Sequence, residues 1–220
     1  MKSALITGGT VRLGKAIAER LRAEGWRVIT SSHRADAGAD IVADLAEPMG
    51  AAKLYAATLQ MLGGMPPDVL VNNAALFMGD EAAIRAVNLE APKKLTVMMA
   101  GRETGVGAVV NVLDSVVLGS IGSVGPGVTL NDPKRPYFSS KRELAAFTRS
   151  SAATFAATLR VNGVAPGPVL APTGVHVKAG ATLLDRRPTA EDVAAAVSYL
   201  LGAESVTGAI IPVDAGQHLT

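Results

Sequence analysis

Short runs of uninterrupted apolar residues alternate with longer stretches of helical period along this chain. Ala4-Leu5-Ile6, Val69-Leu70-Val71 and Ala108-Val109-Val110 stand between segments such as 14–24, 48–62 and 137–157. A strand with one face in water alternates apolar and polar residues. A strand covered on both faces does not, so unbroken runs imply a parallel sheet sandwiched between helices. The pattern predicts strands over 3–7, 27–31, 40–43, 68–72, 108–113, 160–165 and 209–213, and helices over 14–24, 48–62, 81–102, 137–157 and 190–201. Seven strands joined by β-α units with right-handed crossovers give an α/β fold, an open and doubly wound parallel sheet with helices on both faces. No internal repeat or linker divides it, so residues 1–220 are expected to form a single domain.

Composition removes several function classes. Hydrophobic residues make up 49% of the 220 and charged residues 18%, which supports a large core and argues against disorder. The net charge is +2, and no long Lys/Arg run exists, Lys93-Lys94, Lys134-Arg135 and Arg186-Arg187 being isolated pairs, so no patch for nucleic-acid phosphates is expected. With no cysteine, thiolate chemistry and disulfides are excluded. His33, His176 and His218 lie far apart without ligand spacing, so no metal site is expected. No cleavable signal pattern opens the sequence, and no apolar run reaches the roughly 18 residues of a membrane helix. The expectation is a cytoplasmic protein without membrane partners.

The first strand runs into Thr7-Gly8-Gly9-Thr10-Val11-Arg12-Leu13-Gly14 and then a helix. Glycines there let the backbone approach a pyrophosphate, and the helix N-terminus attracts its charge, as in dinucleotide-binding (Rossmann) sheets. The second strand ends in Ser31-Ser32-His33-Arg34, a basic pair where NAD-binding sheets carry an acid. That favours an adenosine 2′-phosphate and hence NADP(H), although Asp36 is close by. Tyr137 and Lys141, four residues apart, share a helix face, where an ammonium would lower the phenol's pKa toward neutrality.

These ordered motifs resemble the short-chain dehydrogenase/reductase family over essentially the whole chain: the T-G-x-x-x-G-x-G turn with Arg12 in place of a glycine, Asp44-Leu45, Asn72-Asn73-Ala74-Ala75, Asn88, Tyr137-x-x-x-Lys141, Pro166-Gly167-Pro168 and Val213-Asp214-Ala215-Gly216. The resemblance implies cofactor contacts from Gly8, Thr10, Arg12, Leu13, Gly14, His33, Arg34, Asp44, Leu45, Asn73, Ala74, Ala75, Tyr137, Lys141, Pro166 and Gly167. It implies Tyr137, Lys141 and Asn88 as catalytic residues, Asn88 holding a water of the proton relay. Asp114 falls on the family's serine position, with Ser115 and Ser123 as alternatives. Arg12, His33-Arg34, Asp114, the aromatic Phe77 and the His-Leu-Thr tail are similar to the pteridine reductase and dihydromonapterin reductase branch.

That similarity implies a substrate site of Phe77, Asp114, Tyr137 and Pro168, and reduction of a dihydropterin to a tetrahydropterin with Tyr137 and Asp114 supplying the proton. A carbonyl or 3-ketoacyl reductase and a non-catalytic NADP(H)-binding protein are the alternatives. The Gly/Pro-rich stretch 115–136 departs from the branch, separating Asp114 from Tyr137 by more than the family's usual interval, and the lid 169–187 with His176 and Lys178 is short. The family also implies a homodimer or homotetramer through the helices 81–102 and 137–157.

Overall fold

In the computed structural model, residues 1–103, 105–119, 132–169 and 182–220 are described. Seven parallel strands form one sheet: β1 (Ser3–Thr7), β2 (Arg27–Ser32), β3 (Ile41–Val42), β4 (Val69–Asn72), β5 (Gly107–Val112), β6 (Leu159–Pro166) and β7 (Ile210–Val213), in the order β3-β2-β1-β4-β5-β6-β7. Every neighbouring pair is parallel. All five residues of β1, all four of β4 and all six of β5 are buried, as the unbroken apolar runs require.

Alternation along a strand then divides the core into two layers. Ala4 and Ile6 of β1 pack under α1 (Arg12–Ala23) and α6 (Ala190–Gly202), against Ile17, Leu21, Val193 and Val197. Leu5, Leu70 and Val109 face the other way, toward α2 (Gly50–Met61) and α4 (Ala91–Ala100), against Leu54 and Leu95. On that side α5 (Arg135–Thr154) adds Leu144 and Ala145, which pack with Leu89 and Leu113.

The long helix expected over 81–102 is interrupted. It runs as α3 (Glu81–Arg85), one π turn (Ala86–Glu90) and then α4. Pro92 carries no N–H, so the carbonyl of Asn88 has no α-helical partner, and the chain widens to Ala91 N–H bonding Ala86 O. The strand expected over 40–43 shrinks to two residues, and α5 begins two residues before Tyr137 and ends at Thr154 rather than 157. Among the described residues no helix is long and apolar enough to cross a membrane.

Because all strands are parallel, the carboxyl ends of β1, β2, β4, β5 and β6 reach one edge. That edge carries Thr7-Gly8, His33-Arg34, Asn73-Ala74, Asp114 and Pro166-Gly167. The chain order reverses between β1 and β4, where such sheets open a crevice.

Candidate active site

The glycine turn is braced from the next strand. Asn73 Nδ2 donates to Thr7 O (2.9 Å) and Gly8 O (3.1 Å), while Thr7 Oγ1 accepts from the backbone N–H groups of Asn73 and Ala74, both at 3.0 Å. Gly14 sits so tightly that a Cβ there would collide with the Gly8 carbonyl. Arg12 has φ +51°, left-handed backbone at the position where the resemblance expects a glycine. Arginine there costs about 1 kcal/mol or more of strain. Leu13 packs on the core below, and Thr10 is half-buried.

Val11, the N-cap of α1, offers no side-chain acceptor, and no acid lies in the first turn. The first amides of α1 thus have no capping carboxylate or hydroxyl. This suits an anion such as a pyrophosphate.

Farther along the edge, Asp44 accepts the Ala46 N–H at 2.8 Å above the buried Leu45. Exposed His33 and Arg34 lie at the end of β2. The sequence offers Arg34 to a 2′-phosphate, but in the structure its fork holds Asp36: Nε to Oδ1 at 2.9 Å and Nη2 to Oδ2 at 2.6 Å. Asp36 is two residues away, close enough for one short turn to close the pair.

At β5 and α5 the expected constellation assembles. The Tyr137 hydroxyl donates to Asp114 Oδ2 at 2.9 Å across a separation of 23 residues. Asp114 Oδ1 accepts the Val116 N–H at 3.0 Å, which caps the 3-10 turn Ser115–Leu118 and fixes the carboxylate. Ser115 is turned elsewhere, its hydroxyl donating to Gln217 Oε1 at 3.3 Å. Ser123, His176 and Lys178 lie outside the described residues. Phe77 is half-exposed, and its ring meets Tyr137 edge to face at a centroid distance of 4.8 Å.

Lys141 Nζ is buried, lies 5.8 Å from the centre of the Tyr137 ring and donates to the Val112 carbonyl at 2.7 Å. Pro166 closes β6, and Gly167 passes so near Asp214 that a Cβ would sit 2.6 Å from that residue's Cβ. The Pro168 carbonyl accepts from Arg187 Nη1 at 3.3 Å. Ala75 is exposed at the same edge.

Asn88 is fully buried and clasps the loop that carries Phe77. Its Oδ1 accepts the Leu76 N–H (2.8 Å), and its Nδ2 donates to Leu76 O (2.9 Å) and Ser140 Oγ (3.2 Å). Ser140 in turn donates to Tyr137 O at 2.6 Å. Ser140 thus ties Asn88 to the first turn of α5, a link the sequence reading missed. Its signal was a hydroxyl three residues after Tyr137, on the same face. Asn72, beside Asn73, belongs to the sheet: it donates to Asn111 Oδ1 (2.8 Å), and Asn111 Nδ2 donates to Thr148 Oγ1 (2.9 Å).

One electrostatic expectation is corrected. The sequence reading has Lys141 lowering the phenol of Tyr137. In the structure that phenol is pushed well above its usual value, first by burial and then by the charge of Asp114 and the hydrogen bond to it. Lys141 is itself lowered, to about 8, by burial, with Asp114 partly opposing. The ammonium is engaged by a backbone carbonyl, so desolvation outweighs its help to the phenol.

A consequence for stability follows from linkage. An amine whose folded pKa is depressed penalises the folded state below that pKa, and the penalty is relieved as pH rises from about 8 toward 10.5. Its full size is about 3 kcal/mol at 1.36 kcal/mol per pKa unit. Lys141→Met is expected to raise stability at pH 7 by about 1–3 kcal/mol, the lost hydrogen bond offsetting part of the gain. The advantage over wild type should fade above pH 8, and chemical denaturation of both proteins from pH 6 to 10 measures it.

The chain is similar to known proteins along nearly its whole length. The family profile described as enoyl-(acyl carrier protein) reductase matches residues 11–218. The granaticin polyketide synthase putative ketoacyl reductase 2 of Streptomyces violaceoruber is 34% identical, over 98% of this chain and 96% of its own length. Pteridine reductase 1 of Leishmania tarentolae is 28% identical, over 99% and 96%. Among solved structures, FolM alternative dihydrofolate reductase 1 from Brucella canis, complexed with NADP, superimposes with a TM-score of 0.84 at 31% identity, covering 100% of this chain and 95% of that one.

Proposed function

This chain belongs to the short-chain dehydrogenase/reductase family, and from that premise we propose that it is an NADP(H)-dependent oxidoreductase that reduces a pterin ring, of the dihydropterin-to-tetrahydropterin type. The observation that carries the substrate reading is the hydrogen bond from Tyr137 to Asp114, with Phe77 against the Tyr137 ring. A carboxyl beside the phenol gives the site a second group able to pass a proton to a ring nitrogen, and a half-exposed aromatic offers a face for a flat heterocycle. Similarity to pteridine reductase 1 and to FolM supports the same reading.

The residues present fit the cofactor: a glycine turn pressed against Asn73, an uncapped helix N-terminus for the pyrophosphate and a basic pair beyond β2 for the 2′-phosphate. Gly8, Thr10, Arg12, Leu13 and Gly14 would hold the phosphates; His33 and Arg34 the 2′-phosphate; Asp44, Leu45, Asn73, Ala74 and Ala75 the adenosine side; Pro166, Gly167, Tyr137 and Lys141 the nicotinamide end. When bound there, NADPH would supply the hydride for reduction of the C=N bond.

The chain's own residues supply the proton. Tyr137 releases it from its hydroxyl to the ring nitrogen, and Asp114, already bonded to that hydroxyl, passes a replacement from solvent. Lys141 holds the tyrosinate by its charge as the proton leaves. The Asn88 side chain is committed to Leu76 and Ser140, so a relay water would rest on its backbone carbonyl, which Pro92 leaves without an α-helical donor. Phe77 and Pro168 border the substrate.

Reduction of a carbonyl or 3-ketoacyl group is the second reading, favoured by the 34% identity to the granaticin ketoacyl reductase. NADPH oxidation measured with dihydrobiopterin, dihydromonapterin and dihydrofolate beside a panel of ketones and 3-ketoacyl thioesters separates the two. Turnover of pterins is the expected result; turnover of the carbonyl panel alone would reject the pterin reading.

A further inference from the structure

We propose that Asp36 is a specificity-determining residue that competes with the cofactor's 2′-phosphate for Arg34 and so weakens the preference for NADPH over NADH. The inference rests on the NADP(H) reading above and adds a residue that works against it. The Arg34 guanidinium presents two parallel donors, and the Asp36 carboxylate fills both, at 2.9 and 2.6 Å. A phosphate would use the same two-oxygen, in-plane approach, so carboxylate and phosphate cannot both occupy that edge of the fork.

The local backbone makes the pair. Arg34 is extended (φ −98°, ψ 126°) and its N–H donates to Ser32 Oγ at 3.1 Å. One 3-10 turn, Ala35–Ala37, then brings Asp36 back over the guanidinium, and Gly38 at φ +65° releases the chain. Both side chains are about two-thirds exposed, 63% for Arg34 and 69% for Asp36, so the pair can open without repacking the core. His33, also exposed, adds a small favourable influence on Asp36.

The consequence is asymmetric. A 2′-phosphate must displace the carboxylate and then sit beside its negative charge. The 2′-hydroxyl of NADH meets neither cost, because a hydroxyl can donate to Asp36 where it lies.

Calorimetric titration of wild type and Asp36→Asn with NADPH and with NADH, at about 50 mM salt, tests this. The expected result is NADPH binding about threefold to tenfold tighter in Asp36→Asn, the scale of an exposed ion pair plus one nearby like charge, with NADH altered less than twofold. In an Arg34→Ala background the same substitution should deliver less than half of that gain. Asp36→Ser, which also removes the charge, should behave as Asp36→Asn does.

If NADPH binding is unchanged or weaker in Asp36→Asn, or if the gain persists in full without Arg34, the competition is refuted and Asp36 is a support for Arg34 or a bystander. Wild type and Asp36→Asn that both bind NADH but not NADPH would instead strike down the NADP(H) reading, and the competition with it.

Discussion

Tyr137→Phe is expected to cut the turnover of NADPH by 10²- to 10⁴-fold, roughly the range that positioned acid–base groups contribute, while the Kd for NADPH stays within about twofold. The hydroxyl removed is the group bonded to Asp114, and the ring, with its edge-to-face contact to Phe77, is retained. Little else changes. Tyr137 is 9% exposed, so phenylalanine fills the same space, and its backbone carbonyl still accepts from Ser140. Steady-state rates together with a binding titration check both halves. Retained turnover would move the chemistry to another group.

Asp114→Ser tests the proton relay proposed for this carboxylate. Serine can still accept the Val116 N–H two residues on, so the 3-10 turn after β5 should survive. Dihydropterin turnover should fall about 100-fold, because a hydroxyl is a poorer proton relay than a carboxyl, and any ketone turnover should be unchanged or higher. The pH profile adds a readout that mere loosening would not produce. The charge of Asp114 raises the phenol of Tyr137, so its removal should move the alkaline limb of kcat/KM to lower pH. Pterin turnover equal to wild type, with an unmoved limb, would refute the role given to Asp114.

Much of this was legible in the sequence because it follows from local rules. Short apolar runs such as Ala4-Leu5-Ile6, Val69-Leu70-Val71 and Ala108-Val109-Val110 marked the central strands, and a doubly wound sheet gathers the strands' carboxyl ends, so Asp114 and Tyr137 meet although 23 residues separate them. Asn73 and Gly14 sit where the motif order put them.

The rest depends on what each side chain finds after folding. The π turn follows from Pro92 facing the carbonyl of Asn88 inside a helix, and periodicity alone reads that stretch as continuous. Spacing placed Lys141 on the face of Tyr137 but could not foresee the Val112 carbonyl that takes its ammonium, or burial outweighing its charge. Arg34 and Asp36 were both visible, but not that two residues of turn suffice to close a two-point pair. Ser140 was one more polar residue between Tyr137 and Lys141 until Asn88 reached it.

The most direct measurement is a crystal structure of the protein with NADP⁺ and a dihydropterin. The account requires the phenol oxygen of Tyr137 within hydrogen-bond reach of the ring nitrogen to be protonated, Asp114 still bonded to that phenol, and Phe77 against the heterocycle. A pterin bound elsewhere, or a Tyr137 hydroxyl turned away from the nicotinamide, would contradict it.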